Sequence, residues 1–456
     1  MDAPLVPGSL VAVAADDGRR EAVSFSEALM CSMDQQGDSA LPFLECPSNL
    51  WMATRVSGEL DEAALARSLT ALTARHDTLR STYVTEGETW WRFVAPPAPV
   101  AIERFDLAHG SPDVDDRLAT LLASLVDTPM AVATGPLFRA SIITVAADDR
   151  VLLLTINHIA FDAWSRSIVA RELQQLYAAF AGGAAPDLPA MTASYGDYVR
   201  RQQANVRRLA SGGDGPLATW CTRLRGAPPW PGAEDPAVAP ASSGERRHCP
   251  FVLDDRATAE LRQLARGRHI TLATVMLAAF CAAVAKCTGL VDLVVGIPVS
   301  DRARPEFDAV VGLFANVAVV RVRDIVGGRF GQVLDCVIDA VEQAYADLRT
   351  PYGYMVQRSA DSAGRLGSYP YVFNFTYRTP SAALAIPGTV SREVTVLPER
   401  AWNRSALGLR LHDDGACLRG VLSSRAAFCR GELEAILSCL RELPDIARHD
   451  NAVAIS

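Results

Sequence analysis

The chain has 456 residues, of which 49% are hydrophobic and 21% charged, with a formal net charge of −8. That length exceeds one ordinary core, so two domains are expected, and the composition is that of a globular chain rather than a disordered or fibrous one. The acidic balance, without any Lys/Arg block, argues against a nucleic-acid surface, and no apolar run approaches the roughly 20 residues of a membrane span. Lys286 is the single lysine, so arginine carries nearly all the positive charge. The start Met1-Asp2-Ala3-Pro4 lacks a basic region followed by an apolar one, so no secretory signal is expected and the cytoplasm is the expected compartment. The ten cysteines (Cys31, Cys46, Cys221, Cys249, Cys281, Cys287, Cys336, Cys417, Cys429 and Cys439) form no Cys-x-x-Cys pair. They are read as buried, reduced thiols, with no metal site.

Residues 1–20 are small and polar and read as a loose arm. Ser24-Phe25-Ser26-Glu27 then supplies capping-type residues before an amphipathic run. Leu65, Leu69 and Leu72 recur at helical spacing within 60–72. Strands are predicted at 89–94, 140–145 and 151–156. The last is an apolar, β-branched run that stops at Asn157 and His158. Asp162 follows, and Ile168, Leu173, Leu176, Tyr177 and Phe180 then mark one face of a helix ending near Gly182-Gly183.

The stretch 226–244 reads GAPPWPGAEDPAVAPASSG, too rich in proline and small residues for a regular element. It is taken as the linker between a first lobe, 21–225, and a second, 245–456. The second half predicts a helix over 271–285, a buried strand over 291–297 and a β-branched run inside 310–322. A strand follows at 371–377, then a hairpin of 407–411 with 416–422 around Asp413-Asp414-Gly415. Helices and strands alternate in both halves, which predicts two α/β sandwiches of similar size.

A rigid buried strand with an open loop after it is a good place for a reactive side chain. Imidazole moves protons near neutral pH, which makes His158 the candidate catalytic residue. Asn374 is an amide within the largely apolar and aromatic run 371–377. It needs partners, either a substrate or the protein backbone. Trp90, Trp91 and Trp164 are expected mainly as core residues, with Trp164 also a candidate substrate contact.

The stretch Asn157-His158-Ile159-Ala160-Phe161-Asp162-Ala163 resembles the His-His-x-x-x-Asp-Gly signature of condensation domains from nonribosomal peptide synthetases. Asn157 stands for the first histidine and Ala163 for the glycine. Further likenesses follow in the family's order. Arg75-His76-Asp77-Thr78-Leu79-Arg80 is similar to its Arg-His-Glu-x-Leu-Arg stretch, and Tyr195-Gly196-Asp197-Tyr198 to its Tyr-x-Asp-Tyr element. Trp220 to Pro228, Gly296 to Arg302, and Val311-Gly312-Leu313-Phe314-Ala315-Asn316 resemble three later elements. Two departures stand out. Only Asp347 and Pro351 remain of a His-Gln-Asp-x-Pro-Phe element, and 401–405 lacks an aspartate usual in the family.

The resemblance implies two chloramphenicol-acetyltransferase-like α/β lobes arranged in a V with a central tunnel. It implies an acyltransferase-type condensation that forms an amide or ester. The donor is an acyl or aminoacyl thioester on a carrier protein's phosphopantetheine arm, and the acceptor is an amine or hydroxyl. One or two carrier proteins would be partners, with a small-molecule acceptor possible and no cofactor held by the chain itself. His158 would accept the amine's proton or orient the nucleophile. Asp162 and Arg302 would form a structural ion pair, and Asn374, Asn316 and Trp164 would contact substrate. Asn157 can hydrogen-bond but cannot titrate near neutrality. Ala163, if its position required a positive φ, would cost on the order of 1 kcal/mol. The departures leave two other readings: a catalytically degenerate module recruiting a partner enzyme to a carrier protein, and a coenzyme A-dependent acyltransferase. The absence of an Asp-Phe-Gly-Trp-Gly element counts against the latter. Met1 and a short arm lead to the expectation of a separate polypeptide.

Overall fold

The computed structural model describes residues 18–35, 49–87, 89–107, 113–210, 215–227, 247–325, 329–363, 373–378, 384–396, 407–424, 428 and 430–448. The expected linker lies outside them apart from Gly226 and Ala227, as do Cys46, Cys429 and the stretch 401–405.

The first half runs β1 (Arg19–Ala22), α1 (Phe25–Gln35), β2 (Asn49–Ser57), α2 (Glu62–Arg75), β3 (Ser81–Glu86), β4 (Thr89–Val94) and β5 (Ile102–Asp106). It continues with α3 (Val114–Asp127), β6 (Phe138–Ala146), β7 (Asp149–Asn157), α4 (Ala163–Ala181), α5 (Tyr195–Ala210) and α6 (Pro216–Leu224). The second half begins with β8 (Arg247–Leu253), α7 (Asp255–Gly267), α8 (Leu272–Thr288), β9 (Leu293–Ser300), β10 (Ala315–Val322), α9 (Phe330–Ala346) and α10 (Tyr352–Ala363). It ends with β11 (Phe373–Arg378), β12 (Val390–Glu393), β13 (Leu407–Asp413), β14 (Leu418–Ser424) and α11 (Arg430–Arg448). The strands form a sheet of order β12-β2-β7-β6-β5, a second of order β10-β9-β11-β13-β14-β8, and a small one, β1-β4-β3.

The apolar run of β7 is continuous because both faces of the strand are buried. Leu152, Leu154 and Ile156 pack with Leu65, Leu69 and Leu72 of α2 and Ile168 and Leu173 of α4. Val151 and Leu153 point the other way, against Leu118, Leu122 and Val126 of α3. In the second lobe, α8 is apolar all round because it lies in the core between its sheet and α9 and α11. No single helix among the described residues is long and apolar enough to cross a membrane.

The lobes exchange segments, so a single cut in the sequence does not divide them. Helix α6 packs on the second sheet, where Trp220 and Leu224 meet Val294 and Val319 and Arg223 pairs with Asp347 at 2.5 Å. In return β12 pairs antiparallel with β2, and Leu384 and Ile386 enter the first core. Helix α1 bridges the two. Ser26 Oγ donates to Ala315 O at 2.9 Å, and the Phe25 and Tyr354 rings meet edge-on at 5.2 Å. A Cβ on Gly353 would lie 2.2 Å from Phe25 O, so this close approach of α1 and α10 requires glycine.

Candidate active site

His158 follows directly on the last residue of β7, itself paired with Asn49 of β2. Asn157 ends the strand: its amide oxygen accepts the Ile159 N–H at 3.0 Å, turning the chain into the short 3-10 turn His158–Ala160. The imidazole is partly exposed, and its Nδ1 lies 2.6 Å from Phe161 O. A carbonyl oxygen only accepts, so Nδ1 carries the proton and Nε2 of the neutral ring keeps the lone pair.

Asp162 is the N-cap of α4 and is buried. Its Oδ1 accepts from Ser165 N at 2.8 Å and Ser165 Oγ at 2.7 Å, and its Oδ2 from Arg302 Nη1 at 2.5 Å and Phe314 N at 3.1 Å. Those donors use the acceptor capacity of a carboxylate. The pair is dry, with side-chain exposures of 2% for Arg302 and 6% for Asp162. Arg302 also donates through Nη2 to Ser165 Oγ and Val310 O, both at 3.1 Å, and its guanidinium lies 3.9 Å from the Phe314 ring centre. The turn that carries His158 is thereby tied to the second lobe. Helix α4 is anchored in its own lobe by Glu172, which accepts from His76 Nε2 at 2.7 Å.

Ser165 is a member of this seam network that pattern reading missed. Its hydroxyl joins Asp162, Arg302 and the Gly312 N–H, all near 3 Å. The available signal was an Asp-x-x-Ser spacing at a helix start. Around it, Tyr195 and Tyr198 of α5 pack with Phe307 and Phe314, and Tyr195 donates to Leu313 O at 2.9 Å while Tyr198 donates to Asp301 Oδ2 at 2.8 Å. Gly312 leaves no room for a side chain, since a Cβ there would sit 2.3 Å from Tyr195 Cδ2. Gly312→Ala is expected to cost about 1–3 kcal/mol by overpacking, seen as a lower urea midpoint at unchanged slope.

The remaining candidates separate. Ala163 is the exposed first residue of α4, and its φ is not positive, so alanine fits without strain. Ala163→Gly is expected to lose at most about 1 kcal/mol of stability and to leave turnover unchanged, checked by thermal melting beside the rate. Trp164 is no core residue. It is 49% exposed because its indole N–H reaches across the seam to Asp308 O at 3.0 Å. Trp90 and Trp91 are half-buried, Arg20 lying over the latter. Asn316 is buried with its oxygen committed to Tyr352 N at 2.8 Å and Val317 N at 2.9 Å, which fixes the start of α10. Asn374 is partly exposed and accepts from Thr376 Oγ1 at 3.0 Å. Of the described cysteines none is in a disulfide, and Cys31, Cys281 and Cys417 are the buried ones.

A family model described as the condensation domain matches residues 47–379. The chain is similar to phosphinothricin tripeptide synthetase PhsC of Streptomyces viridochromogenes, 31% identical over 352 residues, or 75% of this chain and 31% of that protein. It spans less than a third of the length of the curated relatives it matches. Among solved structures, the X-domain from teicoplanin biosynthesis superposes with a TM-score of 0.81 at 20% identity, over 96% of this chain and 97% of that one. The first condensation domain of the CDA synthetase does so with 0.73 at 18%, over 96% and 99%. These likenesses show the chloramphenicol-acetyltransferase-like fold. With the signature at the end of β7 and the family model matched across most of its length, the chain belongs to the condensation-domain family, the amide-forming acyltransferases of nonribosomal peptide synthesis.

Proposed function

We propose that this chain joins a carrier-tethered acyl or aminoacyl thioester to an amine, with His158 Nε2 taking the amine's proton. The observation that carries this reading is the 2.6 Å contact of Nδ1 with Phe161 O, which sets the tautomer and leaves Nε2 as the basic nitrogen. The amine attacks the thioester carbonyl, and the C–N bond forms as its N–H proton passes to Nε2. The C–S bond then breaks, and the departing thiolate takes that proton, so the ring returns to its starting state. Asp162, Arg302 and Ser165 touch no reacting atom in this scheme. They hold the turn from which the imidazole projects.

The thioester arrives on the phosphopantetheine arm of a carrier protein, which makes one or two carrier proteins the partners. Asn374, partly exposed on the second sheet, supplies a hydrogen-bonding amide for the bound chain. The described cysteines, none in a disulfide, fit the reducing cytoplasm. The test is a single-turnover assay with an acyl thioester loaded on a carrier protein and an amine acceptor, read by mass spectrometry. Amide is expected from the carrier-bound donor far faster than from the same acyl group on coenzyme A. No amide above the uncatalysed rate, or equal use of the coenzyme A thioester, would overturn the proposal.

A further inference from the structure

On β11 and β13, Phe373, Phe375, Leu409 and Leu411 point into the second lobe's core. Strand alternation therefore puts Asn374, Thr376, Arg378 and Arg410 together on the opposite face. Thr376 is in register with Arg410, so Arg378 is the diagonal neighbour of that arginine on strands about 4.8 Å apart. Gly296 and Gly408 flank Asn374 on either side, which leaves a furrow without side chains beside the amide. Arg166 reaches this region from the first lobe, one turn into α4, where it pairs with Glu393 and donates to Trp51 O at 3.3 Å.

No acidic group among the described residues acts on Arg378. Burial first, then the like charges of Arg410 and Arg166, push its pKa down to about 10, and burial also lowers that of Arg410. Two like charges act on a guanidinium that burial has already stripped of water, and an anion placed against Arg378 relieves both the repulsion and the lost hydration.

We propose that this furrow is a carboxylate site, in which Arg378 with Arg410 beside it receives a carboxylate carried by the substrate. The chain then condenses an acidic donor or an acidic acceptor. The forked donors of arginine match a carboxylate in two parallel bonds, and Arg166, one turn into the helix that Asp162 caps, acts on the Arg378 guanidinium from the first lobe. This inference rests on the condensation reading above and adds the charge of the substrate to it.

The test compares isosteric probes on the full chain by calorimetry. Succinyl-pantetheine against succinamoyl-pantetheine serves for the donor, and β-alanine against β-alaninamide for the acceptor. Neither thioester carries a phosphate, so a preference within that pair reports the carboxylate alone. The expected result is about tenfold tighter binding of the carboxylate member in one of the two pairs. Arg378→Gln is expected to erase that preference and Arg378→Lys to keep part of it. Equal affinities within both pairs in the unmodified chain overturn the site, as does a preference that survives Arg378→Gln. Failure here is separable from failure of the condensation reading. Amide formed from neutral substrates with no carboxylate preference sinks this site alone, whereas no amide from any loaded carrier sinks the parent reading.

Discussion

His158→Ala is expected to slow amide formation from a carrier-tethered thioester by about 10²–10⁴-fold, with little change in folded stability. The rate loss corresponds to roughly 3–5 kcal/mol of transition-state stabilisation, the share usually supplied by a positioned base. Stability is spared because His158 is partly exposed and its bond to Phe161 O lies within its own turn. The Asn157 bond to Ile159 N and the cap that Asp162 places on α4 do not involve the ring, so the turn persists without it. His158→Gln separates two roles: a side-chain amide can still hydrogen-bond an amine but cannot take its proton. Recovery of most of the rate by glutamine would make the residue a positioning group. A loss as deep as with alanine, together with a flattened pH–rate profile, would mark it as the base. An alanine variant that keeps its rate would remove His158 from the chemistry.

What the sequence disclosed follows from the range of the forces involved. The β7 run and the α4 face were readable because burial repeats locally, and the β13–β14 hairpin because Asp413-Asp414-Gly415 is a turn by composition. The pairing of β12 with β2 was not, since a short strand with a largely exposed pattern gives no periodic signal and its partner is remote in sequence. The same holds for α6, whose apolar side chains do not announce which sheet they meet. Within the site, residue types alone left Asn316 and Trp164 ambiguous. Their roles depend on how their polar atoms are engaged, and the backbone groups of Tyr352 and Asp308 answer that only once the chain is folded. Ala163 was equally unreadable, because its cost turned on a sign of φ that helix α4 sets.

Arg302→Ala is expected to destabilise the chain by about 3–5 kcal/mol, because it strands the buried Asp162 carboxylate without its counter-charge. Asp162→Ala should cost at least as much, since it leaves Arg302 unpaired and also removes the cap of α4 and the acceptor for Phe314 N. The double variant Asp162→Asn with Arg302→Met distinguishes a coupled pair from two separate losses. It retains an oxygen for the Ser165 N–H, fills the arginine's volume with an apolar chain and leaves no charge in the dry seam. Urea unfolding of the double variant is therefore expected to show less damage than the sum of Asp162→Asn and Arg302→Met each made alone, by about 1–3 kcal/mol. Additive losses would mean that the two residues act independently. The kinetic readout separates architecture from chemistry. Where the pair only holds the His158 turn against the second lobe, the single variants lose kcat while the form of the pH–rate profile stays that of the unmodified chain. A profile displaced by Arg302→Ala would instead place the guanidinium's field on the reacting imidazole, and the pair would then belong to the reaction as well as to the seam.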